Sequence, residues 1–456
     1  MIGAHQILSS LRTSLGAGEP STTAETVAGR ALVRIAWSVA GGVLTQGGMF
    51  FTSVALARIL GKHEFGRFAM IQSTAITLSA LASFGLGTTA TKYISQYRKT
   101  QRDRAGLIMG LSSQVAIAAA VCFCSVLLWL APCVAAGGGL PAAALRISAI
   151  YVFFTTLTGY QMGALAGMEA FRQIARISFI YGPATFALHG ALAWRFGIRG
   201  AVLAQGGGAL LLWLLCGRAL AVEGRRHGIT TRYRGAWRER GALFRFSIPA
   251  SVSGIAGSIA IWWCNALLVK VGGYALLGLF TVASTLRMMV LFLPGLNIRV
   301  TSPLLNNLLA SGDDLAYRRT YWTATICNGG IAVLLAILFW VAGPWLLRLF
   351  GRQFAASPLL VLLLLGAAVI EVIATNLYQA LFASRSLWWQ AAIVLVWIAV
   401  LVSLSILTIP GYGAAGLAFA YLAAWCVTAV LYGTMAPFGR RTTLRSPAIT
   451  LNSTAI

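Results

Sequence analysis

Apolar residues occur along this chain in long uninterrupted runs, not in the alternation of a half-buried strand or the narrow stripe of a surface helix. A helix needs about 20 consecutive apolar residues to cross a bilayer. Runs of that length lie at roughly 34–59, 66–91, 106–130, 142–167, 173–194 and 198–221, and again at roughly 246–271, 276–309, 320–347, 357–383, 387–409 and 413–436. Lipid gives backbone groups no hydrogen-bond partner, so a spanning chain must be helical or a closed barrel. A barrel would show short alternating segments. The pattern therefore predicts an all-α integral membrane protein with about 12 transmembrane helices.

One long polar segment interrupts the runs: Glu223–Arg245, EGRRHGITTRYRGAWRERGALFR. It falls between the sixth and seventh spans. The expected organisation is a mobile polar tail at 1–30, a first six-helix lobe at 31–222, a basic inter-lobe linker at 223–245, a second six-helix lobe at 246–436 and a polar tail at 437–456. The first thirty residues are Ser/Thr/Gly-rich and lack the apolar core of a signal peptide.

Composition agrees. The 456 residues are 58% hydrophobic and 10% charged, with mean hydropathy +0.80; a soluble domain carries about 25% charged residues. There are 35 basic and 10 acidic residues, a net charge of +25. Basic residues collect in cytoplasmic loops of membrane proteins. With the N-terminus inside, 24 of the 35 fall on the cytoplasmic face, about nine on the other, and Arg287 and Arg299 within a span. The asymmetry predicts that both termini are cytoplasmic, and it accounts for the charge without nucleic acid. The linker's basic residues also suit anionic lipid heads. The seven cysteines show no CxxC or Cys/His spacing, so packing is their expected role and no metal or other cofactor is implied.

The halves repeat each other. ARILGKHEFGRF (57–68) aligns with VKVGGYALLGLF (269–280) at a separation of 212, pairing Gly61 with Gly273, Gly66 with Gly278 and Arg58 with Lys270. FGIRGAVLA (196–204) aligns with YGAAGLAFA (412–420), pairing Gly197 with Gly413 and Gly200 with Gly416, and Tyr160-Gln161 corresponds to Tyr378-Gln379. Six helices per half is an even number, so the lobes have the same orientation and are related by a pseudo-twofold along the membrane normal. A cavity between them near mid-membrane is expected. Gly61 and Gly66 are expected to bracket a tight turn between helices one and two.

Ionisable residues inside a membrane are costly and mark functional sites. Arg287, Arg299 and Glu371 are the candidates, and Arg287 and Glu371 should lie at similar depth and can pair. Such a pair is either purely structural or a cavity cation for an anionic head group, since the arginine fork binds phosphate bidentately. Arg58, Lys92, Arg146 and Lys270 lie near helix ends. They either snorkel to the interface or line the mouth of the cavity. Polar span residues such as Asn265, Asn297 and Asn376 are expected to serve helix packing, and His189 is expected to be a packed residue. No nucleophile motif, phosphate-binding glycine loop or ATP module appears, so no enzymatic activity is expected.

VALARILGKHEFGRFAMIQS followed by SFGLGTTATKYISQYRK, with LAGMEAFRQ (165–173) and IPGYGAAGLAFAYL (409–422), resembles the bacterial polysaccharide repeat-unit flippases, often called Wzx-type, of the multidrug/oligosaccharidyl-lipid/polysaccharide exporter superfamily. The likeness covers about residues 30–437. It implies a multi-pass protein of the bacterial cytoplasmic (inner) membrane that moves an undecaprenyl-diphosphate-linked oligosaccharide to the periplasmic leaflet by alternating access, for O-antigen or exopolysaccharide biosynthesis. The implied partners are that lipid-linked oligosaccharide, membrane lipids, and the polymerase and glycosyltransferases of the same pathway. Two alternatives stay open: a cation-coupled multidrug exporter of the same superfamily and a membrane-bound polysaccharide polymerase. The first needs an acidic residue in the spans of the first lobe, where this sequence has none; the second needs a large catalytic loop, which the short outside loops do not provide.

Overall fold

The computed structural model describes residues 22–242, 248–311, 313–354, 357–384 and 387–435, nearly all of them helical. Four stretches far exceed a bilayer's thickness. Thr22–Ser83 has 62 residues, Phe171–His227 57, Ile248–Ser311 64 and Leu387–Met435 49. At 1.5 Å per residue even the shortest would run about 74 Å if straight. Each is broken at one glycine: Gly61 (φ 73°, ψ 171°), Gly197 (57°, −135°), Gly273 (72°, 178°) and Gly413 (55°, −125°). Glycine reaches positive φ at little steric cost, and the chain reverses there. A Cβ on Gly200 would collide with the Leu192 carbonyl, and one on Gly416 with the Thr408 carbonyl. Thr408 Oγ1 also donates to the Gly416 carbonyl at 2.9 Å. Residues eight apart in a continuous helix are about 12 Å apart, so both elements are hairpins.

Divided at these glycines, the described residues form twelve long helices, besides short helical turns at Ala236–Glu239, Arg240–Ala242 and Arg352–Phe354. The first half holds α1 (22–60), α2 (62–83, continued after a break at Phe84 and Gly85 by Leu86–Tyr97), α3 (Arg102–Gly138), α4 (Ala142–Gly167), α5 (171–196) and α6 (198–227). The second holds α7 (248–272), α8 (274–311), α9 (Asp314–Phe350), α10 (Pro358–Ser384), α11 (387–412) and α12 (414–435). The glycines paired by the sequence repeat carry nearly the same backbone angles in both halves, so the repeat is structural.

Three boundaries differ from expectation. α1 begins at Thr22, inside the expected polar tail, because good helix formers such as Ala24, Glu25 and Ala28 extend the span once it is nucleated. α2 starts at residue 62, so Gly61 alone makes the turn. Gly66 lies within α2, where it packs. α6 continues through His227, with Arg225 and Arg226 in its last turn and Gly228 (φ 65°) closing it, a favourable end for the helix dipole. The tail at 437–456 lies outside the described residues.

The rest of the linker, as far as 242, is strapped to the first half. Arg232 N donates to the Gly106 carbonyl at 3.1 Å. Side chains on Gly106 and Gly110 would collide with the Thr230 and Arg232 carbonyls. Arg104 pairs with Glu239 at 2.7 Å and Arg232 with Asp103 at 3.0 Å.

The halves meet around α2 and α8. A Cβ on Gly66 would overlap the Tyr274 carbonyl, and a Cβ on Gly278 would overlap the Lys62 carbonyl. Lys62 and Tyr274 are themselves 212 apart, so the two contacts are one contact seen twice, across the pseudo-twofold. Further from the turns, Asn265 Nδ2 donates to Ser73 Oγ at 3.1 Å, Trp262 Nε1 to Thr74 Oγ1 at 2.9 Å and Thr77 Oγ1 to the Ser258 carbonyl at 3.3 Å. At this end the seam is also sealed by α9: Phe50 and Phe65 pack edge-on against Phe350 and Phe354. Arg58 Nε donates to the Leu349 carbonyl at 2.5 Å. One continuous apolar core therefore crosses both halves near the turns. At the opposite end the cores are separate, one around Ile94, Met109 and Leu220 and another around Ile393 and Tyr432.

Gly66→Ala and Gly278→Ala should each force backbone apart and lower the melting temperature of the purified protein. An overpacking cost of about 1–3 kcal/mol is expected. Gly254→Ala, at a position with open space, is the control and should melt as the wild type does.

Candidate functional site

The spans of the second half bring together the two most deeply placed opposite charges. Arg287 on α8 is 8% exposed, and it pairs with Glu371 on α10 through its Nη2 and Glu371 Oε2. The pairing foreseen from depth alone is thus made. The guanidinium also stands over the ring of Tyr421 on α12, with Cζ 5.3 Å from the centroid. Tyr421 packs edge-on against Trp397 of α11 at 6.3 Å, and Trp397 lies 5.5 Å from Trp425. Phe280 closes the other side of Tyr421 at 6.2 Å.

The hydrogen-bond inventory of this cluster is unbalanced. Among the described residues, Arg287 Nε, Trp397 Nε1 and Trp425 Nε1 are buried without an acceptor. Guanidinium and indole N–H groups only donate, and an unsatisfied buried donor costs about 1–3 kcal/mol. Glu371 is the one carboxylate in the cluster. The site thus has donors to spare and an aromatic wall, which suits a ligand rich in acceptor oxygens.

A ladder of amides flanks it. Asn297 donates to Asn328 at 2.6 Å, Asn328 to Asn376 at 2.9 Å and Asn376 to the Val372 carbonyl at 2.8 Å, linking α8, α9 and α10. These asparagines lock helices together, as does Asn265 at the seam. His189 is packed, with Nδ1 2.8 Å from the Thr185 carbonyl.

Arg58, Lys92, Arg146 and Lys270 do not join Arg287. Arg58 and Lys270 are exposed one turn before Gly61 and Gly273, and Arg146 is exposed in the first turns of α4. Lys92 is exposed near the far end of α2, beside Tyr93 at 5.5 Å. Arg299 lies on α8, and its side chain is outside the described residues. Sequence reasoning missed Tyr421, Trp397, Trp425 and Asn328. Aromatic residues are common on lipid-facing helices, so no local signal separated these from their neighbours. The repeat held one: at the separation of 216 that pairs Gly197 with Gly413, Tyr421 falls opposite Gln205, which is also buried. At the separation of 212, Arg287 falls opposite the fully buried Ala75. The first half therefore has no counterpart of the cation.

These features define a helical membrane protein built from two pseudo-symmetric halves. Solved structures share the architecture. An inward-facing multidrug resistance MATE family transporter of the MOP superfamily matches with TM-score 0.63 at 15% identity, covering 89% of this chain and 94% of its own. A MOP superfamily transporter from Pyrococcus furiosus Vc1 matches with TM-score 0.65 at 15% identity, covering 89% and 95%. Residues 32–308 match the family described as polysaccharide biosynthesis protein, and the chain belongs to that family. It is 27% identical over 399 residues to the EPS I polysaccharide export inner membrane protein EpsE of Ralstonia nicotianae, covering 84% of this chain and 88% of that protein. The corresponding Ralstonia solanacearum protein is 26% identical over 403 residues, with the same coverage. The resemblance read from the sequence holds: this is a multi-pass inner-membrane protein related to polysaccharide exporters. The relatives are named as export proteins and the structural neighbours are transporters, in agreement with a non-enzymatic role.

Arg287→Met should leave Glu371 as an uncompensated buried charge, with an expected loss of about 3–5 kcal/mol seen as a lower melting temperature in detergent. Arg287→Met/Glu371→Leu should recover most of it. Equal melting of the single and double variants would show that the two charges are not coupled.

Proposed function

We propose that the protein is a flippase that carries an undecaprenyl-diphosphate-linked oligosaccharide from the cytoplasmic to the periplasmic leaflet during surface polysaccharide biosynthesis. The observation that carries this reading is Arg287, a buried guanidinium in a cluster with surplus donors. A diphosphate offers acceptor oxygens only, and charge-assisted bonds to arginine are roughly twice as strong as neutral ones. Glu371 neutralises Arg287 while the site is empty, and the diphosphate competes for the same guanidinium when cargo arrives. Trp397, Tyr421 and Trp425 offer flat apolar faces and N–H groups to the first sugar. Membership of a polysaccharide biosynthesis family and likeness to polysaccharide export proteins support a glycan cargo.

The two six-helix lobes act as rigid bodies. With both termini in the cytoplasm, as the basic-residue bias indicates, the shared core lies at the periplasmic end and the separate cores flank a cytoplasmic opening. That arrangement suits loading from the cytoplasmic leaflet, and rocking of the lobes about the seam would expose the site to the other side. The lipid-linked oligosaccharide comes from membrane glycosyltransferases, and a polymerase takes the delivered unit.

Arg287→Gln, expressed at the wild-type level, should reduce surface polysaccharide at least tenfold in a strain lacking the chromosomal copy, and lipid-linked oligosaccharide should accumulate on the cytoplasmic side. Full polysaccharide from that variant would overturn the assignment of the site. Drug sensitivity of the deletion strain with normal polysaccharide would favour a small-molecule exporter instead.

A further inference from the structure

The end of the bundle that carries the α1–α2 and α7–α8 turns is the one poorer in basic residues, yet its cations are gathered in one place. Nine lie at this end: Arg58, Lys62, Arg67, Arg146, Arg195, Arg199, Lys270, Arg348 and Arg352. Six of them sit at the seam. Arg58, Lys62 and Arg67 flank the Gly61 turn, Lys270 precedes the Gly273 turn, and Arg348 and Arg352 close α9. The bond from Arg58 to the Leu349 carbonyl joins the two groups. Glu64 is the only acidic residue beside them in the sequence, and it is taken by Arg67 at 2.7 Å. Among the described residues, neither Arg348 nor Arg352 has a carboxylate partner.

A groove of about 530 Å³ opens beside these two arginines, between the end of α9 and the start of α10. Trp340, Pro344, Leu347 and Val361 line it, and the exposed Arg348 and Arg352 stand at its edge. The face around it is apolar and uncovered: Val341 is 69% and Trp345 74% exposed. Trp345 lies near the end of α9, and a tryptophan at a helix end marks the level of lipid head groups. From Trp340 to the end of α9 is about 15 Å at helical rise, which is half the roughly 30 Å hydrocarbon core. The groove therefore has the length of one leaflet's acyl chain, an apolar lining over that length and two unpaired guanidiniums at head-group level.

We propose that this groove is a binding site for an anionic phospholipid, with one acyl chain between α9 and α10 and its phosphate held by Arg348 and Arg352. Arginines that merely snorkel need no groove beneath them. A groove that merely accepts an acyl chain needs no cations at its edge. The combination selects a lipid whose head group is net negative over a zwitterionic one, because a choline head group would bring its own cation to the guanidiniums. The site is separate from Arg287, which lies deep within the second lobe.

The test is native mass spectrometry of the full chain released from nanodiscs of phosphatidylglycerol or of phosphatidylcholine. Wild-type protein should retain phosphatidylglycerol at least threefold more often than phosphatidylcholine, and phosphatidylglycerol should raise its melting temperature. Arg348→Gln/Arg352→Gln should lose both effects. Both side chains are exposed, so the variant should fold, which its melting in phosphatidylcholine checks. Arg195→Gln/Arg199→Gln removes the same charge from the same end, away from the groove, and should behave as the wild type. Equal phosphatidylglycerol retention by the Arg348/Arg352 variant, or equal loss in the Arg195/Arg199 control, would overturn the site. So would stabilisation of the wild type by glycerol phosphate as strong as that by the lipid.

Discussion

The fold depends on the close approach of two backbones at its centre. Between the halves, Gly66 and Gly278 leave no side chain where α2 and α8 meet, so each helix rests on a carbonyl of the other. In lipid there is no hydrophobic force between helices, and association rests on packing and on polar contacts. Small residues let the packing be tight, and the bonds from Trp262 and Asn265 to Thr74 and Ser73 add direction. Because the contact is repeated by pseudo-symmetry, it holds the halves together at one end without committing the other. The merging of cores near the turns and their separation at the far end follow from that one-sided join.

Symmetry of backbone does not extend to charge. The turn glycines and their angles agree between the halves, yet Arg287 stands where the first half has Ala75, and Tyr421 where it has Gln205. A helical hairpin tolerates many side chains as long as the glycine at its turn is kept. A charge buried in a lipid-embedded core is tolerated only with a partner beside it. The second half supplies that partner in Glu371, and it pairs α8 with α10 at the cost of two desolvated ions. Structural packing alone would be served as well by apolar residues of similar size. Among the described residues, the buried N–H groups of Arg287, Trp397 and Trp425 lack acceptors, which makes the cluster a poor structural device.

Much of this was legible along the chain. Long apolar runs made the helices, because lipid leaves the backbone no other solution. The recurrence of Gly61 at Gly273 and Gly197 at Gly413 marked the turns and the repeat, since only glycine takes those angles cheaply. Arg287 and Glu371 stood out because so few charges occupy the spans. Less legible was the role of Gly66. A glycine at a turn and one at a helix contact look alike until the neighbouring helix is known. The sequence marks the linker as a basic inter-lobe connector; in the structure residues 229–232 lie on α3, over Gly106 and Gly110, and ion pairs of Arg232 with Asp103 and of Glu239 with Arg104 tie it there.

By itself the sequence determined that the chain is a series of helices long and apolar enough to cross a membrane, where it turns and that it is built twice. Those are properties of short segments: apolar length, and glycine at a positive φ. Only the tertiary structure decided what surrounds the buried arginine. Arg287, Glu371, Trp397 and Tyr421 come from four helices, and which faces of those helices meet depends on packing that no single segment specifies. The same holds for the grouping of Arg58 with Arg348 and Arg352. They are nearly 300 positions apart in the chain and become neighbours only because α9 ends against the first turn of the other half.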